Sequence, residues 1–158
     1  MQDLSYVESS ISNLFKKDAS LIKGNDKVII HSVLCNEKKT DDGVENGGSR
    51  VVEEIMDVIQ DNVNKYCDAS NLTISFIGNS LGGLYSRFAV SKIHDILSPD
   101  DDHKDKNMRL ANGIPVHFNV FYSTAAPHLG TAYNTYVPLP RTAQIGIGYM
   151  MGATGQDL

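Results

Sequence analysis

Apolar residues recur at steps of three and four positions in three stretches of the chain, which is the period of an amphipathic helix. The three sets are Leu4, Val7, Ile11, Leu14 and Phe15; Val52, Ile55, Met56, Ile59 and Val63; and Leu84, Phe88, Ala89, Ile93, Ile96 and Leu97. Asp3 is a suitable N-cap for the first helix. We expect the second helix to begin at about Ser49 and the third to end at Ser98-Pro99.

Short apolar runs bounded by turn-forming residues alternate with these helices and predict strands. They are Lys27–Leu34, Leu72–Ile77 and Val116–Ser123. Nearly continuous apolar strands that alternate with helices are typical of parallel βαβ units, whose sheets are covered on both faces. The pattern therefore predicts an α/β fold with a mostly parallel sheet and flanking helices.

The second predicted strand runs directly into Gly78-Asn79-Ser80-Leu81-Gly82, which has the form GxSxG. At a sharp strand-to-helix turn, this spacing places a serine hydroxyl above the sheet, and small neighbours let the strand and helix pass closely. Ser80 is thus the candidate nucleophile, and the N–H of Leu81 is the candidate oxyanion donor at a helix N-terminus. Gly78 and Gly82 are the expected elbow glycines.

Four ordered segments of the chain resemble the DUF676 family of serine esterases and lipases, a branch of the α/β-hydrolases. They are Ile74–Ala89 around the elbow, the loop from Cys35-Asn36-Glu37 to Arg50, Ala126–Gly130, and Thr154–Leu158. The sequence departs from the family at Asn79, where the family usually has histidine. Because this residue only flanks Ser80, we expect a modest effect.

The resemblance implies that residues 1–158 are the central part of one α/β-hydrolase domain, a partial fold with a strand–nucleophile elbow–helix unit. It also implies that the oxyanion strand precedes Met1, and that the triad acid and histidine follow Leu158. An Asp102–His128–Ser80 triad within these residues is the alternative, since the chain order of such triads is Ser, acid, His. The acidic loop that contains Asp102 follows a helix rather than a strand end, which weighs against this triad. We expect His128 to orient a loop through hydrogen bonds instead.

Composition narrows the classes of partner further. The formal net charge of -5 gives no electrostatic reason to bind nucleic acid. Cys35 and Cys67 are too few for a disulfide framework, and no His, Cys or carboxylate cluster has metal-ligand spacing. No metal or cofactor is expected. No signal peptide or bilayer-spanning run is visible, so a cytoplasmic location or one peripheral to membranes is favoured.

The resulting prediction is a serine hydrolase that cleaves lipid-type or small esters, with contact to a lipid surface as one consequence. The apolar residues between Tyr133 and Met151 either line an acyl pocket, form a lid or pack in the core. A different class of function stays open beside the enzyme. In that alternative, the chain is a non-catalytic α/β-hydrolase-like binding module or a truncated, inactive product.

Overall fold

The computed structural model describes residues 5–22, 24, 26–66, 69–98, 107–128 and 152–157. The helices are α1 (Ser5–Lys17), α2 (Val44–Lys65), α3 (Leu81–Leu97) and α4 (Gly152–Asp157), with a 3-10 turn at Ala19–Leu21. The strands are β1 (Leu72–Asn79) and β2 (Val116–Thr124). All three predicted helices are present, and α2 begins earlier than its apolar period indicates, directly after Gly43.

β1 and β2 pair in parallel, with α3 between them in the chain, so the predicted βαβ unit is confirmed. The register runs from Leu72 opposite Val116 to Asn79 opposite Thr124, and shifts between Ile74 and Phe76. Parallel neighbours need a crossover connection, which α3 supplies here. The carboxyl ends of both strands therefore lie side by side at one edge of the sheet.

The strand predicted at 27–34 is wrong, because residues 26–34 are assigned to neither helix nor strand. Apolar β-branched composition favours a strand, but a strand forms only where a neighbouring backbone accepts its hydrogen bonds. Here the N–H groups of Leu34 and Cys35 donate instead to the Glu54 carboxylate on α2, at 2.8 to 3.1 Å. The side chains of Val28, Ile29 and Val33 are 40 to 47% exposed.

The core lies around α3, which packs against both strands on one side and against α2 on another. Its buried members are Val51, Val52, Phe76, Tyr85, Ala89, Ile93, Leu97 and Val116. Two glycines on α2 let the helices approach closely, because a methyl group at Gly47 would overlap the Tyr85 ring and one at Gly48 would overlap Phe88. This close crossing places the N-terminal half of α2 against the first turns of α3.

The longest described helix is α2, with 22 residues, and it carries charged side chains along its length. None of the helices in the described part of the chain combines the length and apolarity needed to cross a bilayer. The opposite face of the sheet keeps apolar side chains in solvent, since Ile77, Val120 and Tyr122 are each at least half exposed.

Candidate active site

Ser80 alone makes the turn between β1 and α3. Its backbone has φ 54° and ψ -129°, a conformation that costs a non-glycine residue on the order of 1–3 kcal/mol. Such strain persists only where the surrounding contacts hold the residue in place. Ser80 is also exposed, and it lies at the carboxyl edge of the sheet.

Both backbone polar groups of Ser80 are held by neighbours. Its N–H donates to the carbonyl oxygen of Thr124 at 2.8 Å, and its carbonyl oxygen accepts the N–H of Gly83 at 3.0 Å. The peptide unit is planar, so fixing the Ser80 carbonyl also fixes the direction of the Leu81 N–H in the same unit. As the first residue of α3, Leu81 has no intrahelical acceptor for this N–H.

The glycines around the turn have different steric roles. A methyl group at Gly78 would lie 2.7 Å from the Cα of Gly83 and 2.8 Å from the carbonyl oxygen of Gly82. One at Gly83 would lie 2.6 Å from the Cβ of Ala126, whereas one at Gly82 would meet nothing within 4 Å among the described residues. The close approach expected at Gly82 is therefore found at Gly83. The doubled glycine in the sequence is a signal that could have located it.

The end of β2 supports the turn from the side. The Thr124 hydroxyl donates to the Asn79 side-chain oxygen at 2.9 Å, so the residue before Ser80 is tied to the neighbouring strand. The next residue along, Ala125, also has a positive φ of 51°. Two strained non-glycine residues, Ser80 and Ala125, thus follow the paired strand ends side by side.

His128 makes no hydrogen bond to Ser80 in the described part of the chain. Its Nε2 lies 2.9 Å from the Ser123 hydroxyl, and its buried Nδ1 has no hydrogen-bond partner among the described residues. The contact with Ser123 joins residues on either side of the turn that follows β2. Asp102, and the segment from Tyr133 to Met151, lie outside the described residues.

A hydrogen-bond network on α2 positions the loop before it. Arg50 donates through Nε to Asn36 at 2.7 Å, and through its terminal nitrogens to both carboxylate oxygens of Asp42 and to the carbonyl oxygen of Lys39. The buried Asn36 amide donates in turn to the Gly47 carbonyl at 2.9 Å. The hydrogen bond from Arg50 lowers the pKa of Asp42. The loop is therefore fastened to α2 at several points.

Helix α4 docks on the N-terminus of α2, a contact that the sequence did not predict. The Asp157 carboxylate accepts the Val44 N–H at 2.7 Å, and the buried Thr154 hydroxyl oxygen accepts the Gly43 N–H at 2.9 Å. A carboxylate at this end of a helix is stabilised by the helix dipole and satisfies a free N–H group. Side chains more than 100 positions along the chain thus cap α2.

Glu54 holds the segment before this loop by hydrogen bonds. It also raises the pKa of Cys35, the only thiol in the described part of the chain. His31 lies 2.7 Å from one of the Glu54 carboxylate oxygens. Burial alone would raise the pKa of Glu54, but hydrogen bonds involving Cys35 and His31 outweigh it and hold that pKa below its usual range. Burial and the Glu54 carboxylate together raise the pKa of the Cys35 thiol to about 12.

Cys35 is therefore expected to react slowly with alkylating reagents. In a Cys67→Ser background at pH 8, iodoacetamide should modify Cys35 of the folded protein about 50-fold slower than in urea, because the raised pKa lowers the thiolate fraction more than it increases the nucleophilicity of the thiolate. Glu54→Gln should accelerate the reaction severalfold, since the nearby charge is lost while the burial of the thiol remains. Mass spectrometry over time measures both rates. Equal rates in the folded and unfolded protein would contradict the assigned environment of Cys35.

The geometry defines a general class of protein, an α/β protein with a strand–turn–helix junction that presents a strained, exposed serine. The chain belongs to a particular family of this kind, since the family model described as "Putative serine esterase (DUF676)" matches residues 1–158. No solved structure shows a significant match.

Two curated relatives from Saccharomyces cerevisiae are similar to the chain. "Putative lipase YDL109C" is 30% identical over 142 residues, which cover 89% of this chain and 18% of the relative. "Putative lipase YDR444W" is 29% identical over an alignment covering 99% of this chain and 20% of the relative. The chain thus spans about a fifth of the length of these two proteins.

Proposed function

We propose that the protein is a serine hydrolase that cleaves lipid-type esters with Ser80 as its nucleophile. The observation that carries this proposal is the strained, exposed turn at Ser80, with φ 54°. Non-glycine residues in strained conformations cluster at functional sites, where the strain is part of the mechanism. The family description and the names of the two relatives support ester hydrolysis, and the word lipase in those names supports a lipid-type substrate.

The proposed reaction follows the serine-hydrolase pattern. The Ser80 oxygen attacks the ester carbonyl carbon while its proton passes to a histidine, and the Leu81 N–H donates a hydrogen bond to the developing oxyanion. The alcohol leaves with the proton from the histidine, and water then releases the acid from the acyl-enzyme. Removing one oxyanion donor of this kind raises the activation free energy by roughly 3–4 kcal/mol.

The base and the acid of this mechanism are proposed to come from outside the described residues. Within the described part of the chain, the Ser80 hydroxyl has no side-chain partner, and His128 is engaged with Ser123. We further propose, from the family resemblance, that residues 1–158 are the central part of a hydrolase domain and that another segment contributes the triad partners. In this proposal, His128 orders the turn after β2.

A fluorophosphonate probe tests the nucleophile directly. The protein, expressed from its complete coding sequence, should form one phosphonyl adduct, which peptide mass spectrometry should locate on Ser80. Ser91 is exposed on the same helix α3, so Ser91→Ala is the matched control and should retain labelling. Ser80→Ala should lose it. A folded wild-type protein that stays unlabelled would overturn the proposal and favour the alternative of a non-catalytic binding module.

A further inference from the structure

Thr124, the last residue of β2, contacts the Ser80 turn through both its backbone and its side chain. Its carbonyl oxygen accepts the Ser80 N–H at 2.8 Å, and its hydroxyl donates to the Asn79 side-chain oxygen at 2.9 Å. The two bonds thus reach two consecutive residues, Asn79 and the strained Ser80. Thr124 and Asn79 are register partners, so the two contacts lie at the last rung of the ladder.

The two hydrogen bonds of Thr124 help to hold the Ser80 backbone in its strained conformation. A residue with φ 54° would relax toward an ordinary conformation unless its flanking peptide units were held. The Gly83 N–H holds the unit that follows Ser80. On the other side, the backbone bond to Thr124 holds the Ser80 N–H, and the bond from the Thr124 hydroxyl restrains the preceding residue.

The hydroxyl of Thr124 is separable from the fold. Thr124 is exposed, so its side chain contributes little to the core. Valine has nearly the same shape and suits a strand equally well. A Thr124→Val change leaves the backbone bond to Ser80 in place and removes only the bond to Asn79. The remaining Asn79 oxygen is only partly buried, where water can replace the lost donor at small cost to stability.

We infer that Thr124 is a positioning residue for Ser80, acting through its hydrogen bond to Asn79 to hold the nucleophile in its reactive orientation. The inference rests on the proposed function of Ser80. A small displacement of a reacting atom is enough to slow a reaction, by as much as about 100-fold for 1 Å. Loss of the bond should therefore reduce the rate of the covalent step without changing how tightly a small ester-like ligand binds.

The test uses fluorophosphonate inactivation kinetics, which separate the covalent rate constant, kinact, from the binding constant, KI. Thr124→Val should lower kinact about 10-fold or more, with KI and the urea unfolding midpoint unchanged. Thr124→Ser keeps the hydroxyl and should restore kinact. Asn79→Ala should lower kinact to a similar extent. The double variant Asn79→Ala with Thr124→Val should react no more slowly than either single variant, since all three lack the same bond.

The outcomes distinguish this inference from the function on which it rests. A wild-type protein that does not react with the probe overturns the proposed function, and the inference with it. A reactive wild type beside an equally reactive Thr124→Val variant overturns the inference alone. So does a Thr124→Ser variant that is as slow as Thr124→Val, because the hydroxyl would then not be the group that matters.

Discussion

Replacing Ser80 by glycine is expected to stabilise the protein and to abolish its ester hydrolysis. Glycine adopts a positive φ freely, so the change removes strain of about 1–3 kcal/mol, offset by about 0.5–1 kcal/mol for the greater freedom of the unfolded chain. The free energy of unfolding should therefore rise by about 1 kcal/mol. Urea denaturation followed by circular dichroism measures it, and a p-nitrophenyl ester assay measures hydrolysis.

Ser80→Ala is the matched variant, because alanine lacks the hydroxyl but keeps the Cβ that makes the turn strained. Hydrolysis should fall as far as in Ser80→Gly, by a factor on the order of 10⁵ or more, as for other serine nucleophiles. Its free energy of unfolding should stay close to that of the wild type. If Ser80→Gly were no more stable than Ser80→Ala, the backbone at this position would not carry the strain that the structure assigns to it.

Gly78→Ala is expected to be among the most damaging single changes in the described part of the chain. The added methyl group would lie 2.7 and 2.8 Å from backbone atoms of Gly83 and Gly82, at the start of α3. Backbone in a packed helix cannot move aside as a flexible side chain can, so the strand and helix must separate. Overpacking of this kind typically costs about 1–3 kcal/mol, and we expect about 3 kcal/mol here. Fluorophosphonate labelling of Ser80 should be lost along with the turn.

Gly82→Ala supplies the control for this prediction. Both glycines belong to the GxSxG pattern, but a methyl group at Gly82 meets nothing within 4 Å in the described structure. Because Gly82 lies in α3, alanine should leave the free energy of unfolding unchanged or raise it by up to about 1 kcal/mol. Equal destabilisation by the two substitutions, measured by urea denaturation, would contradict the different environments that the structure assigns to them.

The local elements, and the junction that carries the proposed chemistry, are predictable from short stretches of sequence. The apolar period of α3 and the β-branched runs of β1 and β2 depend on neighbouring residues, so a helix between two parallel strands was predictable. The GxSxG pattern located the turn at Ser80 because its small residues occur only a few positions apart. The apolar period does not locate the ends of the elements. It predicts that α2 begins at about Ser49, whereas the helix begins at Val44.

Which partners complete these elements follows from the three-dimensional packing and not from the local pattern. Residues 26–34 have a strand-like composition, but Glu54 takes the N–H groups at the end of this segment. The close approach beside the turn is at Gly83 because Ala126, two residues after the end of β2, packs against it. His128 pairs with Ser123, and Asp157 caps α2. These contacts depend on three-dimensional placement, mostly between residues distant in the chain, which a local pattern of apolar and polar positions does not encode.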